Sequence, residues 1–153
     1  MAQDKISVMY GITVQIDTTP GEEATMAPLD AGIENLQEAL NEVVNQYFFF
    51  SGEGFANNYV TGMAPAYTLT GRRIIGDAAQ DFIFANAQKF GLMTAPETTM
   101  EITRNVNTGT EKISCPVTFC NLTDIGGATT DGSAISVELR LNGKPTVEVT
   151  PGS

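Results

Sequence analysis

The chain has 153 residues, 42% apolar and 17% charged, a balance that fits one globular domain over residues 1–153 burying roughly two-thirds of its unfolded surface. No run approaches the ~18 apolar residues of a membrane span, so no membrane partner is expected, and MAQDKISVMYG lacks the pattern of a secretory leader, which implies synthesis in a cytoplasm. Eighteen acidic against eight basic residues give a net charge of −10 with no histidine, which excludes a DNA-gripping surface, because affinity for phosphates comes from Lys and Arg releasing counterions.

Ile6, Val8 and Tyr10, then Ile12, Val14 and Ile16, alternate with polar or flexible neighbours around Gly11, predicting one bulged strand or two. Thr18 to Pro28 holds turn residues, Gly21 and the adjacent carboxylates Glu22 and Glu23 without periodicity, so it reads as an exposed loop. From Ile33 to Tyr47 two readings compete. Ile33, Leu36, Leu40, Val43, Val44 and Tyr47 have helical spacing, with Glu34, Glu38 and Glu42 along another face. Those like charges four apart weaken a helix, and the β-branched and aromatic residues Val43–Val44 and Tyr47–Phe50 favour a strand. Ser51 to Asn58, with Gly52, Glu53 and Gly54, is a loop by composition. GEGFANN also lacks the third glycine of a nucleotide-binding loop.

The stretch from Val60 to Gly91 reads as a strand, a charged corner and a capped helix. Tyr67, Leu69 and Gly71 alternate with Thr68 and Thr70 before Arg72–Arg73. Asp77 suits the N-cap, its carboxylate accepting from the first turn, and Gln80 three residues on completes a capping box. The helix is expected over about 78–90, with Ala79, Phe82, Ile83, Ala87 and Phe90 on its buried stripe and Gly91 at its stop.

Pro96 opens an extended stretch in which Met100 and Ile102 face one way, Glu101 and Thr103 the other; Asn107–Thr108–Gly109 turns the chain. Ile113, Cys115, Val117 and Phe119 then alternate with polar residues, and Pro116 implies an edge position or a bulge. Cys115 and Cys120 fall five apart in this strand, ~16 Å at ~3.3 Å per residue and beyond disulfide reach; both are expected as buried thiols. Asn121 to Gly132 is a loop whose Asp124 and Asp131 do not fit a calcium-loop pattern. In the last segment a three-residue turn, Asn142 to Lys144, would pair Leu139 with Val147 and Val137 with Val149, keeping one apolar face.

The ordered set AGIENL, NEVVNQYFFFSGEGF, VTG…TLTG followed by RR and GDAAQDFIF, and late ISVELRLNGKPT resembles the major tail tube protein of long-tailed bacteriophages (siphophage type), over most of the chain. The resemblance implies strands at Ala31–Leu36 and Val43–Phe50 in place of a helix. It implies a mainly β (α+β) fold, a β-sandwich with one flanking helix, and a structural virion protein without catalysis. Its copies would form hexameric rings that pool strands into one inner barrel and stack into the tube through which DNA is ejected. Expected partners are further copies, the tail tip or baseplate, the tape measure and terminator proteins of the tail, and DNA passing without specific binding, all in a virion made in a bacterial host. Loops carrying Gly21, Glu22, Glu23, Gly52, Glu53 and Gly54 would then touch neighbouring subunits. An acidic lumen would keep DNA from adhering; Glu101 and Glu138, which alternate with buried residues, are its first candidates, with Glu34 and Glu42 after them.

Catalysis has little to stand on in this sequence. With no histidine, two cysteines of ordinary context and no G-x-S-x-G elbow, nucleophile and metal constellations are lacking, and no cofactor is implied. Asp77 with Asp81 is a carboxylate pair one helical turn apart, and Asp77 is already explained as a cap. The alternative class is an Ig-like or pilin-like adhesion or assembly domain of a cell surface, which strand count and turn spacing permit.

Overall fold

The computed structural model describes residues 6–151; the MAQDK start of the segment read for a leader lies outside them. The chain forms β1 (Thr13–Asp17), β2 (Met26–Pro28), β3 (Ile33–Ala39), β4 (Glu42–Phe48), β5 (Ala56–Met63), β6 (Ala66–Arg72), α1 (Ala78–Ile83), α2 (Asn86–Lys89), β7 (Glu97–Val106), β8 (Gly109–Thr123), β9 (Ala134–Leu141) and β10 (Thr146–Pro151). It is mainly β with short flanking helices, as expected. The main sheet is antiparallel in the order β2-β1-β7-β8-β9-β6-β3, with β10 also on β8, while β4 and β5 pair only with each other. Period-2 alternation puts Ile16, Met100, Val117, Val137, Leu139 and Leu69 on one face, all fully buried, and α1 closes this core with Ala79 and Ile83. An open groove of about 340 Å³ is lined by Ile12 and Val14 at the start of β1 and by Ile33 and Leu36 of β3.

Strands, not a helix, occupy residues 33–48, and β3 pairs with β6 from Ile33↔Gly71 to Ala39↔Ala66. A close backbone approach makes Gly71 necessary there, since a Cβ would fall 2.0 Å from the Gly32 carbonyl oxygen. Other expectations need correction. Ile6, Val8 and Tyr10 are exposed and a 3₁₀ turn occupies Met9–Gly11, so the first strand starts only at Thr13, where β7 provides a partner. Met26–Pro28, placed in a loop, is a short strand on β1 with Ala27 buried, and Ala56–Asn58 belongs to β5.

The helix breaks at Phe84–Ala85, because Ala85 is extended (φ −62°, ψ 146°). The break lets Phe84 into the core at 5% exposure and leaves Phe90, on the expected stripe, 75% exposed; Ala87 is exposed too and Phe82 only half-buried. Six residues of helix are too few to set their own course in water, so the burial of Phe84 decides.

Pro116 marks neither an edge nor a bulge. The fifteen-residue β8 lies against β7 along most of its length, but its second partner changes from β10, ending at Ser114, to β9, beginning at Val117. The missing N–H falls at that handover. The expected final hairpin is also absent. β9 and β10 both run antiparallel to β8, with Leu141 opposite Val117 and Thr146 opposite Ser114, so the chain continues in one direction and Asn142–Pro145 is an outward kink. Val147 and Val149 therefore pair with Ile113 and Glu111 and stay about half exposed. β8 itself extends to Thr123, past a register shift after Cys120, into what was read as loop. Cys115 is buried and Cys120 half-buried, which corrects the expectation for the second thiol.

Candidate functional site: the arm and the free strand edges

The β3–β6 hairpin does not stop at the core. Past Ala39↔Ala66 the same two strands continue as β4 and β5, an arm of seven residue pairs from Glu42↔Met63 to Phe48↔Ala56, roughly 20 Å long at ~3.3 Å per residue. Its root is stiffened. Asn41 takes a left-handed φ of 50° and its Nδ2 donates to the Ala64 carbonyl (2.9 Å), while the Ala64 amide donates to Leu40 O (3.2 Å). One pair inward, the Tyr67 hydroxyl donates to Glu38 Oε2 at 2.7 Å; burial first, and this carboxylate second, push the phenol pKa up.

Every residue of β4 is exposed, and so are most of β5. Their surface is of an unusual kind. From Val43 to Gly52, and from Phe55 to Met63, there is no charged side chain. Val43, Val44, Tyr47, Phe48, Val60 and Met63 are 49–66% exposed. Tyr47 stacks on Phe49 and tilts against Tyr59 (centroids 6.2 and 5.9 Å), and Asn45–Thr61 and Gln46–Asn58 pair across the arm. A two-stranded ribbon of this kind is marginal in water alone and presents unpaired N–H and C=O groups along both edges, a template for another strand. β10 offers a third such edge, being bonded only to β8, with all six residues exposed.

Gly52, Glu53 and Gly54 form the arm's tip. Phe50–Gly52 is a 3₁₀ turn, Glu53 is left-handed (φ 53°) and Gly54 follows at φ 91°. Gly21, Glu22 and Glu23 lie exposed in the β1–β2 loop, which is tied down by Asp17. Its Oδ1 accepts from the Thr19 amide (2.9 Å) and the Thr25 amide (3.0 Å), and these bonds, Thr19's foremost, hold the carboxyl below the usual range against the opposing effect of burial.

The four acidic residues singled out in sequence are not gathered in one chain. Glu101 pairs across to Ser114 and Glu138 to Cys120, so both lie on the polar face of the sheet, ~20 Å apart along β8. Each has a cation beside it: Lys112 lies 4.0 Å from Glu101, and Arg140 bonds Glu138. Glu34 approaches Arg72 at 3.7 Å near the helices, whereas Glu42 sits at the arm's root.

Asp77 accepts from the Gln80 amide at 3.1 Å, the cap that its sequence position suits. The reciprocal half of the box is replaced. Gln80, fully buried, donates from Nε2 to Ala31 O (2.7 Å) and Arg72 O (3.1 Å) and accepts at Oε1 from the Ile74 amide (2.8 Å). It thereby locks α1 to the start of β3 and the end of β6. Asp81 is engaged by Arg73 at 2.8 Å, so neither member of the Asp77–Asp81 pair is a free carboxyl.

The fold is thus an antiparallel sheet closed by a short helix, with a hairpin arm projecting from it. Solved structures share it over nearly the whole chain. The SPP1 tail tube matches with a TM-score of 0.70 at 13% identity, covering 96% of this chain and 81% of that one. The tail of an empty gene transfer agent particle, with C6 symmetry, matches at 0.60 and 13% identity, covering 97% and 99%. The virion of a native gene transfer agent matches at 0.62 and 12% identity, covering 97% and 100%. No protein-family description matches the sequence, and no curated protein is similar to it.

Proposed function

We propose that the chain is a structural subunit of a phage-type tail tube: copies form hexameric rings, and the rings stack into a hollow conduit for DNA ejection. The observation that carries this reading is the arm, whose aromatic-rich strands, free of charge beyond Glu42, stay exposed in one chain. Such a surface belongs in contact with protein, and the open edges of β3, β4, β5 and β10 accept strands of further copies. Likeness to an assembled tail with C6 symmetry supports six copies per ring. The tape measure, terminator and tip proteins of a tail are the partners such a tube requires, and the virion is its place. Glu101 and Glu138, on the polar face, are our candidates for the lumen, with Glu34 and Glu42 behind them. The β1–β2 loop and the arm tip are the candidate contacts between subunits.

Negative-stain microscopy and sedimentation of the concentrated full chain test this reading. Rings or tubes are expected. Replacing residues 42–63 by a two-residue turn should leave the melting temperature of the single chain nearly unchanged and abolish assembly. A strictly monomeric protein at every concentration would refute the proposal. Glu101→Lys with Glu138→Lys should leave tubes intact but make them retain duplex DNA in a salt-sensitive way; tubes that still ignore DNA would remove these residues from the lumen.

A further inference from the structure

The arm tip has a counterpart at the other end of the molecule. Ile33↔Gly71 ends the β3–β6 ladder beside the helices and Ala39↔Ala66 ends it at the arm; from Ile33 to Phe48 is ~50 Å along the strand. At the helix end, Arg73 bonds Asp81 and lies 4.0 Å from Asp124, which also pairs with Lys89. Arg73, Lys89 and Asp124 are followed in the chain by Ile74, Phe90 and Ile125, so one ion cluster gathers three segments and their apolar neighbours. Ile75, Phe90, Leu92, Met93 and Ile125 are 75–90% exposed there.

The two surfaces match in area and chemistry. Phe48, Phe49, Phe50 and Phe55 are 66, 47, 107 and 78% exposed, on the order of 600 Å² of aromatic surface at the tip. The five side chains at the helix end offer a comparable area. Each approaches the ~800 Å² per partner of a stable interface. The tip brings one charge, Glu53; the opposite end holds Arg72, Arg73 and Lys89, three of the chain's eight basic residues, beside Glu34, Asp77, Asp81, Asp124 and Asp131, a net charge of −2 in which each cation is paired with a carboxylate, so the apolar side chains, and not an unpaired field, dominate that surface.

We infer that the helix-end surface around Ile75, Phe90, Leu92, Met93 and Ile125 is the acceptor for the arm tip of a second copy in the next ring. One chain cannot join its own tip to its own acceptor across that distance. A head-to-tail contact between different surfaces does not close on itself and so propagates. The inference rests on the tube reading above and adds to it the receiving site and the polarity of stacking.

The test uses two full-length variants: a tip variant, Phe50→Asp with Phe55→Asp, and an acceptor variant, Leu92→Asp with Ile125→Asp. All four positions are exposed, so circular dichroism and melting temperature should match the wild type; Leu92→Ser with Ile125→Ser serves as a milder acceptor variant. Each alone should form single rings, with tube length by negative stain falling at least ten-fold. Mixed one to one, they should form stacks of two rings, since one intact tip meets one intact acceptor. Acceptor variants that make tubes of wild-type length would overturn the inference while leaving the tube reading standing. A mixture that stays as single rings, or a tip variant that loses rings altogether, would overturn it as well. Wild-type protein that forms neither rings nor tubes would refute the tube reading and this inference together.

Discussion

Gln80→Glu separates two roles for one side chain. In a capping box a glutamate at this position is as good as glutamine, and its charge favours the helix N-terminus. In the observed geometry it is damaging. A carboxylate retains the bond from the Ile74 amide but loses both donations, and it sets an oxygen 2.7 Å from Ala31 O and 3.1 Å from Arg72 O. Two lost hydrogen bonds cost about 1 kcal/mol each, and a carboxylate facing two carbonyls adds more, offset in part by the Arg73 guanidinium 3.4 Å from Oε1, so the expected loss is about 3–4 kcal/mol at neutral pH. For a chain of this length that is a fall of ~10 °C or more in melting temperature, read by circular dichroism on unassembled protein. Protonation of the introduced carboxyl removes the charge but restores at most one of the two donations, since it has a single O–H, so part of the loss should ease as pH falls toward about 4.3 and part should remain. A Gln80→Glu protein as stable as the wild type at pH 7 would refute this account and restore the reciprocal cap.

Phe84→Ala should cost about 3–5 kcal/mol in urea unfolding, since the ring is 5% exposed in the core; Phe82→Ala, half-buried with its edge on Phe119 at 6.1 Å, should cost roughly half as much. The opposite order would mean that the helix continues unbroken through Ala85. Asp17 has its folded pKa lowered from 3.8, chiefly by the Thr19 amide, so its contribution is complete above that value and is lost as pH falls through the depressed folded one. Asp17→Asn should therefore lower stability by about 1 kcal/mol at pH 7 and flatten the fall in melting temperature between pH 4 and 2. An unchanged acid limb would show that the carboxylate does not hold the β1–β2 loop.

Wherever neighbours in sequence settle the structure, the sequence was legible. Alternation of Met100 and Ile102 with Glu101 and Thr103, a turn within Asn107–Thr108–Gly109 (Gly109 itself already pairs with Val106) and the Asp77 cap depend on contacts within a few residues, and each is found. The arm was legible only in part: β-branched and aromatic residues favoured strands over residues 43–50, but nothing local showed that they would leave the core. That depends on where the main sheet ends. The same holds for the missing final hairpin. Apolar register made a β9–β10 turn plausible, yet β8 is long enough to pair with both strands in line, and a partner so distant in sequence cannot be read from the turn. Gln80 was assigned a local partner because only local partners are visible in sequence, and the carbonyls it serves, one of them 49 residues away, are brought to it by the sheet. Residue types and their spacing thus determined most of the strands of the main sheet and where the helix starts, but not β2, the ends of β5 and β8, or the choice of strand at residues 33–39. The packing of distant strands, through the buried area and hydrogen bonds it makes available, decided which faces are covered and which, like the arm, are left for other copies.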